Sequence, residues 1–304
     1  MGLILLLVSG TMINNEFTLP VPLSDALDAA VTAAHTAAGI LQAYSRNRAE
    51  LVVDTKARND LVSQADREAE AALIAILRER TPEFGIVAEE SGGQEAGLAS
   101  WYIDPLDGTT NFLHSIPHYA VSIALVAKAG TILPPGEVLQ EDTPVVGVVY
   151  DPNREELFTA MTGGGAWLNG HRIRTSRSTL LADAVLATGF PFRDFSFADQ
   201  YMPMLRDAIY NTRGVRRLGA AALDLAWVAC GRFDGYWEMG LAPWDVAAGT
   251  ILVREAGGVA QDMRARHPWP IDGNIVSGTP AIAQALQAGI APHLLNQADG
   301  SQPE

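Results

Sequence analysis

Six acidic residues stand where an apolar run gives way to a turn or a helix start: Asp66, Glu89, Glu90, Asp104, Asp107 and Asp245. Such boundaries let side chains from different elements converge. The stretch Asp104-Pro-Leu-Asp-Gly-Thr-Thr-Asn-Phe112 carries two of these acids three residues apart, ahead of a glycine and two threonines. A strand is predicted to end at Ile103, Pro105 fixes the backbone, and Asp107-Gly-Thr resembles a helix N-terminus. Two carboxylates and several unpaired amide N–H groups would then share one patch, where hard oxygens suit Mg²⁺ and the N–H groups suit a phosphate oxyanion. Alone, Asp-x-x-Asp-Gly reads more readily as a turn or cap, because Asp and Gly serve both. The other acids shift that balance: Glu89-Glu90 follows the strand-like run Ile86-Val-Ala88, and Trp244-Asp245 opens a helical run. Carboxylates at three separate element ends, without His or Cys at ligand spacing, favour an all-oxygen Mg²⁺ site over zinc.

Holding these ends together takes a large mixed scaffold, and the chain has the material for one. Its 304 residues are 48% hydrophobic and only 18% charged, enough for one large domain or two closely packed halves. Helical spacing of Leu27, Ala30, Val31, Ala34, Ala38 and Leu41 predicts a first helix from Ser24, as N-cap, to about Arg46. A second is predicted from about Asp66 to Arg80, stopped by Thr81-Pro82. Short β-like runs follow at 85–88, 101–103, 120–126, 145–150 and 157–160, with 128–144, rich in Gly and Pro, read as a surface insertion. The glycines of Thr162-Gly-Gly-Gly165 lack the Lys-Ser/Thr of a phosphate loop and read as a hairpin turn. Beyond them, helical runs near 199–210, 221–230 and 244–256 alternate with short strands at 184–188, 235–238 and 275–277, giving an α/β second half.

The 35 acidic against 21 basic residues leave a formal charge of −14, which excludes general attraction to nucleic acid or anionic lipid. An anionic substrate would need cations to screen it. The single cysteine, Cys230, excludes an internal disulfide, fits a reducing cytoplasm and reads as a buried structural thiol. The opening MGLILLLVSGTM has no basic residue before its apolar run and is too short to span a bilayer, so residues 1–22 are predicted to be a disordered extension, with Met12 as an alternative start.

Taken in order, four motifs resemble those of the inositol monophosphatase family, in the lithium-sensitive, Mg²⁺-dependent phosphatase superfamily. They are Lys56 with Asn59-Asp60-Leu-Val-Ser-Gln-Ala-Asp66, Ala88-Glu-Glu-Ser91, Trp101-Tyr-Ile-Asp-Pro-Leu-Asp-Gly-Thr-Thr-Asn-Phe112, and Trp244-Asp-Val-Ala-Ala-Gly249 with Glu255-Ala-Gly-Gly258. The resemblance spans about 23–291 and implies a layered αβαβα sandwich of the inositol monophosphatase/fructose-1,6-bisphosphatase type. It implies one compact unit of two parts, 23–160 with most metal-binding motifs and 161–291 with the substrate side and the last metal ligand, then a 292–304 tail.

The same resemblance implies a set of roles. Glu89, Asp104 and the Leu106 carbonyl would hold one Mg²⁺, Asp104, Asp107 and Asp245 a second, and a third, weaker ion would sit near Glu89 and Asp66. The metals would offset the phosphate charge and make a water acidic, which Thr109, supported by Asp66, would orient for in-line attack. Gly108 and Thr109 would hold phosphate oxygens through their N–H groups. Glu238 and the Gly219-Ala220-Ala221 segment match positions that contact the polyol, and Asp245 would also border the substrate. Ala88 stands where a Gly is usual and Ala220 where a Ser or Thr is usual; the second change removes a hydroxyl near the polyol and puts inositol selectivity in question. His114 and His118 read as packing or surface residues, Lys56 as an exposed lysine or a partner of the ligand carboxylates, and Arg213, Arg216 and Arg217 as a solvated or subunit-contact patch, with a regulatory contact as the sharper reading.

The implied function is a phosphomonoesterase for inositol 1-phosphate or a related polyol or sugar phosphate, acting in the cytoplasm as a homodimer without membrane or direct nucleic-acid contact. Fructose-1,6-bisphosphatase, histidinol-phosphatase and 3',5'-bisphosphate nucleotidase activities are alternatives, although Thr-Thr-Asn-Phe after Asp-Gly is nearer the inositol group than the nucleotidases. A different alternative is a non-catalytic role as a partner of the transcription machinery, known among bacterial relatives.

Overall fold

The computed structural model describes residues 17–47, 53–57, 60–190 and 195–294, with backbone alone at 53–57 and 60–62. Helix α1 (Leu23–Arg46) turns seven alanines and Leu41 inward, so its axis can approach its neighbours closely. The expected Ser24 cap is not used. Pro22 holds the N-cap position and its carbonyl accepts from the N–H groups of Asp25 and Ala26, both at 3.0 Å, while Ser24 lies within the first turn. Helix α2 (Gln64–Arg80) starts two residues before the predicted point, because Ser63 and Asp66 bond to each other across its first turn.

These two helices cover one face of an eight-stranded mixed sheet. Its order runs from His171–Arg172 through Gly165–Leu168, Glu156–Met161, Thr143–Asp151, Ala120–Ala127, Ala99–Asp107 and Gly85–Ala88 to Gly92–Gln94. Only Gly85–Ala88 and Ala99–Asp107 pair in parallel. The central strand Ala120–Ala127 is buried at every residue, since helices lie on both faces; this is why it reads as unbroken apolar sequence rather than as an alternation. A one-turn helix α3 (Thr109–Leu113) follows the long strand, and α4 (Ala198–Asn211), α5 (Ala221–Ala229), α6 (Pro243–Glu255) and α7 (Pro280–Ile290) complete the helices.

Helices α5 and α6 lie on the second face of the large sheet and separate it from a five-stranded sheet ordered Gly214–Arg216, Val185–Thr188, Gly235–Glu238, Ile275–Gly278, Val259–Asp262. Helices α4 and α7 close the far side. The result is a five-layer αβαβα stack with an apolar core at each junction.

The segment 128–144 is more than a surface insertion. It folds into a small hairpin of Ile132–Leu133 with Glu137–Val138 and buries Thr131, Leu133 and Leu139. Thr18 bridges Ile132, and Leu19 and Val21 pack on the first core, so the described end of the predicted extension, 17–22, is attached to the body. Residues 1–16, with both candidate start methionines, lie outside the described residues. The Thr162–Gly165 turn joins two paired strands, and its Gly163 and Gly165 N–H groups donate to the Glu255 carboxylate at 2.9 and 2.8 Å. Those donors are engaged in folding, which gives Glu255 a structural use. No helix among the described residues is long and apolar enough to cross a membrane.

Candidate active site

The predicted strand end at Ile103 is displaced: the strand runs on to Asp107 through an irregularity. Asp104 pairs with Ser122 and Asp107 with Ala120, so three steps on one strand face two on its neighbour. In a regular strand, residues three apart point to opposite faces. The extra residue at Pro105-Leu106 is a β-bulge, and it returns Asp107 to the side of Asp104. The Leu106 N–H donates to Asp104 Oδ1 at 2.8 Å within the bulge.

Neighbouring elements bring the other acids. The parallel strand Gly85–Ala88 ends beside Ile103, whose carbonyl accepts from the Glu89 N–H at 3.2 Å. From α2, Glu70 accepts the N–H groups of Glu90 and Ser91, both at 2.8 Å, and so fixes the turn that carries Glu89. One turn earlier on the same buried face, Asp66 accepts the Ser63 N–H at 2.9 Å and the Thr109 hydroxyl at 3.3 Å. Ser122, opposite Asp104, donates to the Trp244 carbonyl at 3.0 Å and draws the first turn of α6 to this point. Asp245 stands there with its own Oδ2 accepting the Ala242 N–H at 2.8 Å. Asp107 in turn caps α5, taking the Ala221 and Ala222 N–H groups at 3.2 and 2.7 Å.

Glu89, Asp104, Leu106, Asp107, Gly108, Thr109, Ala220, Ala221, Glu238 and Asp245 therefore line one cleft of about 570 Å³. Of the predicted site residues, only Asp66 stands behind the wall, touching it through Thr109. Gly108 has φ +93°, and a Cβ there would lie 3.0 Å from the His118 carbonyl, so the turn between Asp107 and Thr109 needs glycine.

The cleft wall is strongly acidic. Burial, then repulsion from Glu89, Asp107 and Asp245, holds the Asp104 carboxyl well above its ordinary pKa. Burial lifts Asp107 to about 7 against the pull of the Ala222 N–H, with Glu238 and Glu89 adding to the rise. Burial also raises Asp66, opposed by its bonds from Ser63 and Thr109. Carboxylates in this state ionise together only if a cation joins them. Among the described residues, no three acidic, His or Cys side chains are arranged to hold a metal ion by themselves. Mg²⁺ keeps waters and shares its shell with a phosphate rather than filling it from protein. The all-oxygen donor set and the unbalanced charge both fit such an ion.

Several residues gain roles that were not apparent in the sequence. Glu238 stands against Gly189, where a Cβ would lie 1.9 Å from Oε1, and its Oε2 accepts the Tyr236 hydroxyl at 2.5 Å. Behind it, Asp224 is buried with an Oδ1 that has no hydrogen-bond partner, and burial plus the Glu238 and Asp107 charges push its pKa well up. An acid inside the apolar run Ala222-Leu-Asp-Leu-Ala226 was a usable signal for that residue. Glu70 also had one, lying at i+4 from Asp66 on the Leu73 and Leu77 face. Gly189 had none.

All three arginines are exposed: Arg213 pairs with Asp183 at 2.8 Å, and Arg217 also lines the cleft, with its guanidinium 5.4 Å from the Phe190 ring centre. His114 is exposed at the cleft mouth; His118 is buried edge-on to Trp227, and burial lowers it to about 4. Cys230 is half-buried rather than fully enclosed, and burial raises its thiol. Lys56 lies on the strand Val53–Ala57, with its side chain outside the described residues.

Comparison with known proteins agrees with this architecture. The family model described as "Inositol monophosphatase family" matches residues 23–298. "Nus factor SuhB" of Escherichia coli (strain K12) is 43% identical over 270 residues, covering 88% of this chain and 96% of that protein. Among solved structures, the extragenic suppressor protein suhB from Bartonella henselae superposes with a TM-score of 0.78 at 40% identity, over 87% of this chain and 98% of its own. Inositol monophosphatase from Anabaena (Nostoc) sp. PCC 7120 does so with a TM-score of 0.75 at 37% identity, over 89% and 96%. With the five-layer fold, the four motifs and these relatives in agreement, the chain belongs to the inositol monophosphatase family.

Proposed function

We propose that the protein is a Mg²⁺-dependent phosphomonoesterase acting on inositol 1-phosphate or a related polyol or sugar phosphate. The observation that carries this reading is the convergence of Glu89, Asp104, Asp107 and Asp245 on one cleft wall, made possible by the bulge. Glu89, Asp104 and the Leu106 carbonyl would hold one ion, Asp104, Asp107 and Asp245 a second, and Glu89 with Asp66 would adjoin a weaker third. Bound Mg²⁺ supplies positive charge against the ester and makes a nearby water acidic.

The chain's own groups do the positioning. Thr109 Oγ1 lies 3.3 Å from Asp66 Oδ1 and 3.0 Å from the Leu106 carbonyl. With its hydrogen directed to either acceptor, the threonine oxygen keeps a lone pair for the proton of an attacking water. The Gly108 and Thr109 N–H groups, at the start of a turn that offers them no intrahelical acceptor, would donate to the phosphate oxygens. Glu238, held by Tyr236, accepts polyol hydroxyls, and Ala220 and Ala221 form the adjoining wall. A cytoplasmic homodimer acting on a small-molecule ester completes the reading.

The test is phosphate release from a panel of inositol, sugar, histidinol and nucleotide phosphates with Mg²⁺, with and without Li⁺. Asp104→Asn should abolish turnover, since it touches both main metal positions, whereas Glu238→Gln should chiefly weaken substrate binding. Near-wild-type turnover by the Asp104 variant, or no turnover of any inositol or sugar phosphate by wild type, would refute the assignment.

Relatives 43% identical are named Nus factors, and this favours a second, non-catalytic role with the transcription machinery. Recovery of the same transcription proteins by wild type and Asp104→Asn would support it; recovery of none by either would count against it.

A further inference from the structure

Glu70 is 2% exposed and does not line the cleft. From α2 it meets the turn Glu89-Glu90-Ser91, where Oε2 accepts the Glu90 N–H and Oε1 the Ser91 N–H, both at 2.8 Å. A carboxylate that takes two adjacent backbone donors fixes a turn in orientation as well as in place. Residues 89–94 include no buried residue, and Gly92 and Gly93 have φ +72° and +116°, so hydrogen bonds rather than packing hold this segment. Asp66 lies one turn earlier on the same helix and accepts the Thr109 hydroxyl. One helix thus carries an anchor for the threonine turn and another for the turn of Glu89.

Resting on the phosphatase reading above, we infer that Glu70 is a positioning residue: acting through the turn, it sets the affinity of the ion that Glu89 would hold, without touching ion or substrate. A ligand free to swing must be ordered at a cost when the ion binds, so the partners that orient ligands govern metal affinity. The ion assigned to Asp107 and Asp245 is spared, because bonds to the first turns of α5 and α6 orient those two acids. In Glu70→Gln one oxygen still accepts, but the amide nitrogen brings donors of its own against a backbone N–H. The competing use of Glu70 is to hold α2 to the sheet, which would weaken folding without singling out one ion.

The experiment titrates Mg²⁺ and Ca²⁺, both seekers of hard oxygen, by calorimetry into wild type, Glu70→Gln, Glu89→Gln and the double variant. The Mg²⁺ dependence of phosphate release is measured beside it. Glu70→Gln should lower the affinity for one ion about tenfold or more, while kcat at saturating Mg²⁺ stays within about threefold of wild type. In the double variant the Glu70 change should add less than about threefold to the loss from Glu89→Gln, because it acts through that residue. Leu77→Ala, two turns further along the same buried face of α2, is the control: it should lower the melting temperature and leave metal affinity within about twofold. Should Glu70→Gln not fold, Glu70→Asp, which keeps both acceptors on a shorter stem, takes its place with the same loss expected. Unchanged metal affinity in the Glu70 variant, losses that multiply in the double variant, an equal loss in Leu77→Ala, or no metal binding by wild type overturns the inference. If wild type binds metal but cleaves no phosphate ester, the phosphatase reading fails while the titrations still decide the role of Glu70.

Discussion

Replacing Gly189 by alanine tests whether the polyol end of the cleft depends on space reserved for Glu238. The new Cβ would stand 1.9 Å from Oε1 and 2.2 Å from Oε2, against 3.4 Å for ordinary contact, so the carboxylate must retreat by 3.4 − 1.9 = 1.5 Å. Tyr236 is fully buried and its hydroxyl cannot follow, so the 2.5 Å bond that orients Glu238 is lost. A hydrogen bond to a charged group contributes about 1.5–3 kcal/mol, or roughly ten- to 150-fold in affinity. The expected outcome of Gly189→Ala is therefore a KM for inositol 1-phosphate raised by at least about tenfold. Hydrolysis of p-nitrophenyl phosphate, which has no polyol, should change by less than about threefold, because Glu89, Asp104, Asp107 and Asp245 are untouched. Steady-state kinetics on both compounds, with a thermal melt to confirm cooperative folding, makes the measurement. An unchanged KM for inositol 1-phosphate, or equal damage to both substrates, would refute the reasoning.

Two further outcomes follow from charge and backbone. Asp107 in the metal-free protein is held at about 7, and Asp104 is also well above the ordinary 3.8. A carboxyl with a raised folded pKa binds its proton more tightly when folded, so its stabilisation is full below about pH 4 and is lost as pH rises through about 7. Chelated protein should melt at a higher temperature near pH 5.5 than near pH 8, and Mg²⁺ should raise the melting temperature more at the higher pH, where it replaces the missing protons; a Mg²⁺ shift independent of pH would contradict this. Gly39 is exposed within α1, and a methyl group added there would meet nothing within 4 Å. Gly39→Ala should therefore gain about 0.5–1 kcal/mol in chemical denaturation, and a loss would contradict the helix assignment at that position.

Much of the scaffold was legible because it rests on local pattern. The inward alanines of α1, the apolar strands at 120–126 and 145–150, and the alternation of helix and strand after residue 184 all report burial at a short, fixed period. Acids at element ends could likewise be picked out one by one, and the motifs shared with a known family placed Asp104, Asp107 and Asp245 in the right company. Other features escaped because a neighbouring or distant residue overrides the local rule. Ser24 satisfies the local rule for a cap, but the chain ahead of it, fixed by Pro22, starts the helix earlier. The segment 128–144 has the composition of a loop, yet Thr18, from the other end of the sequence, gives it a partner.

At the site, sequence alone determined which groups are available: carboxylates rather than imidazoles or thiols, a glycine followed by threonines, and an excess of negative charge that calls for cations. Tertiary structure decided where they point. A strand of period two would have set Asp104 and Asp107 on opposite faces, and only pairing with Ala120–Ala127 creates the bulge that sets them side by side. Likewise, Arg217 is the third arginine of a polar stretch until Phe190 and Gly219 place it in the cleft, and Gly189 is one glycine among 28 until Glu238 arrives from another strand to occupy the space where its side chain would be. Residue type is a local property, but orientation and counter-charge depend on partners that only the folded chain brings within reach.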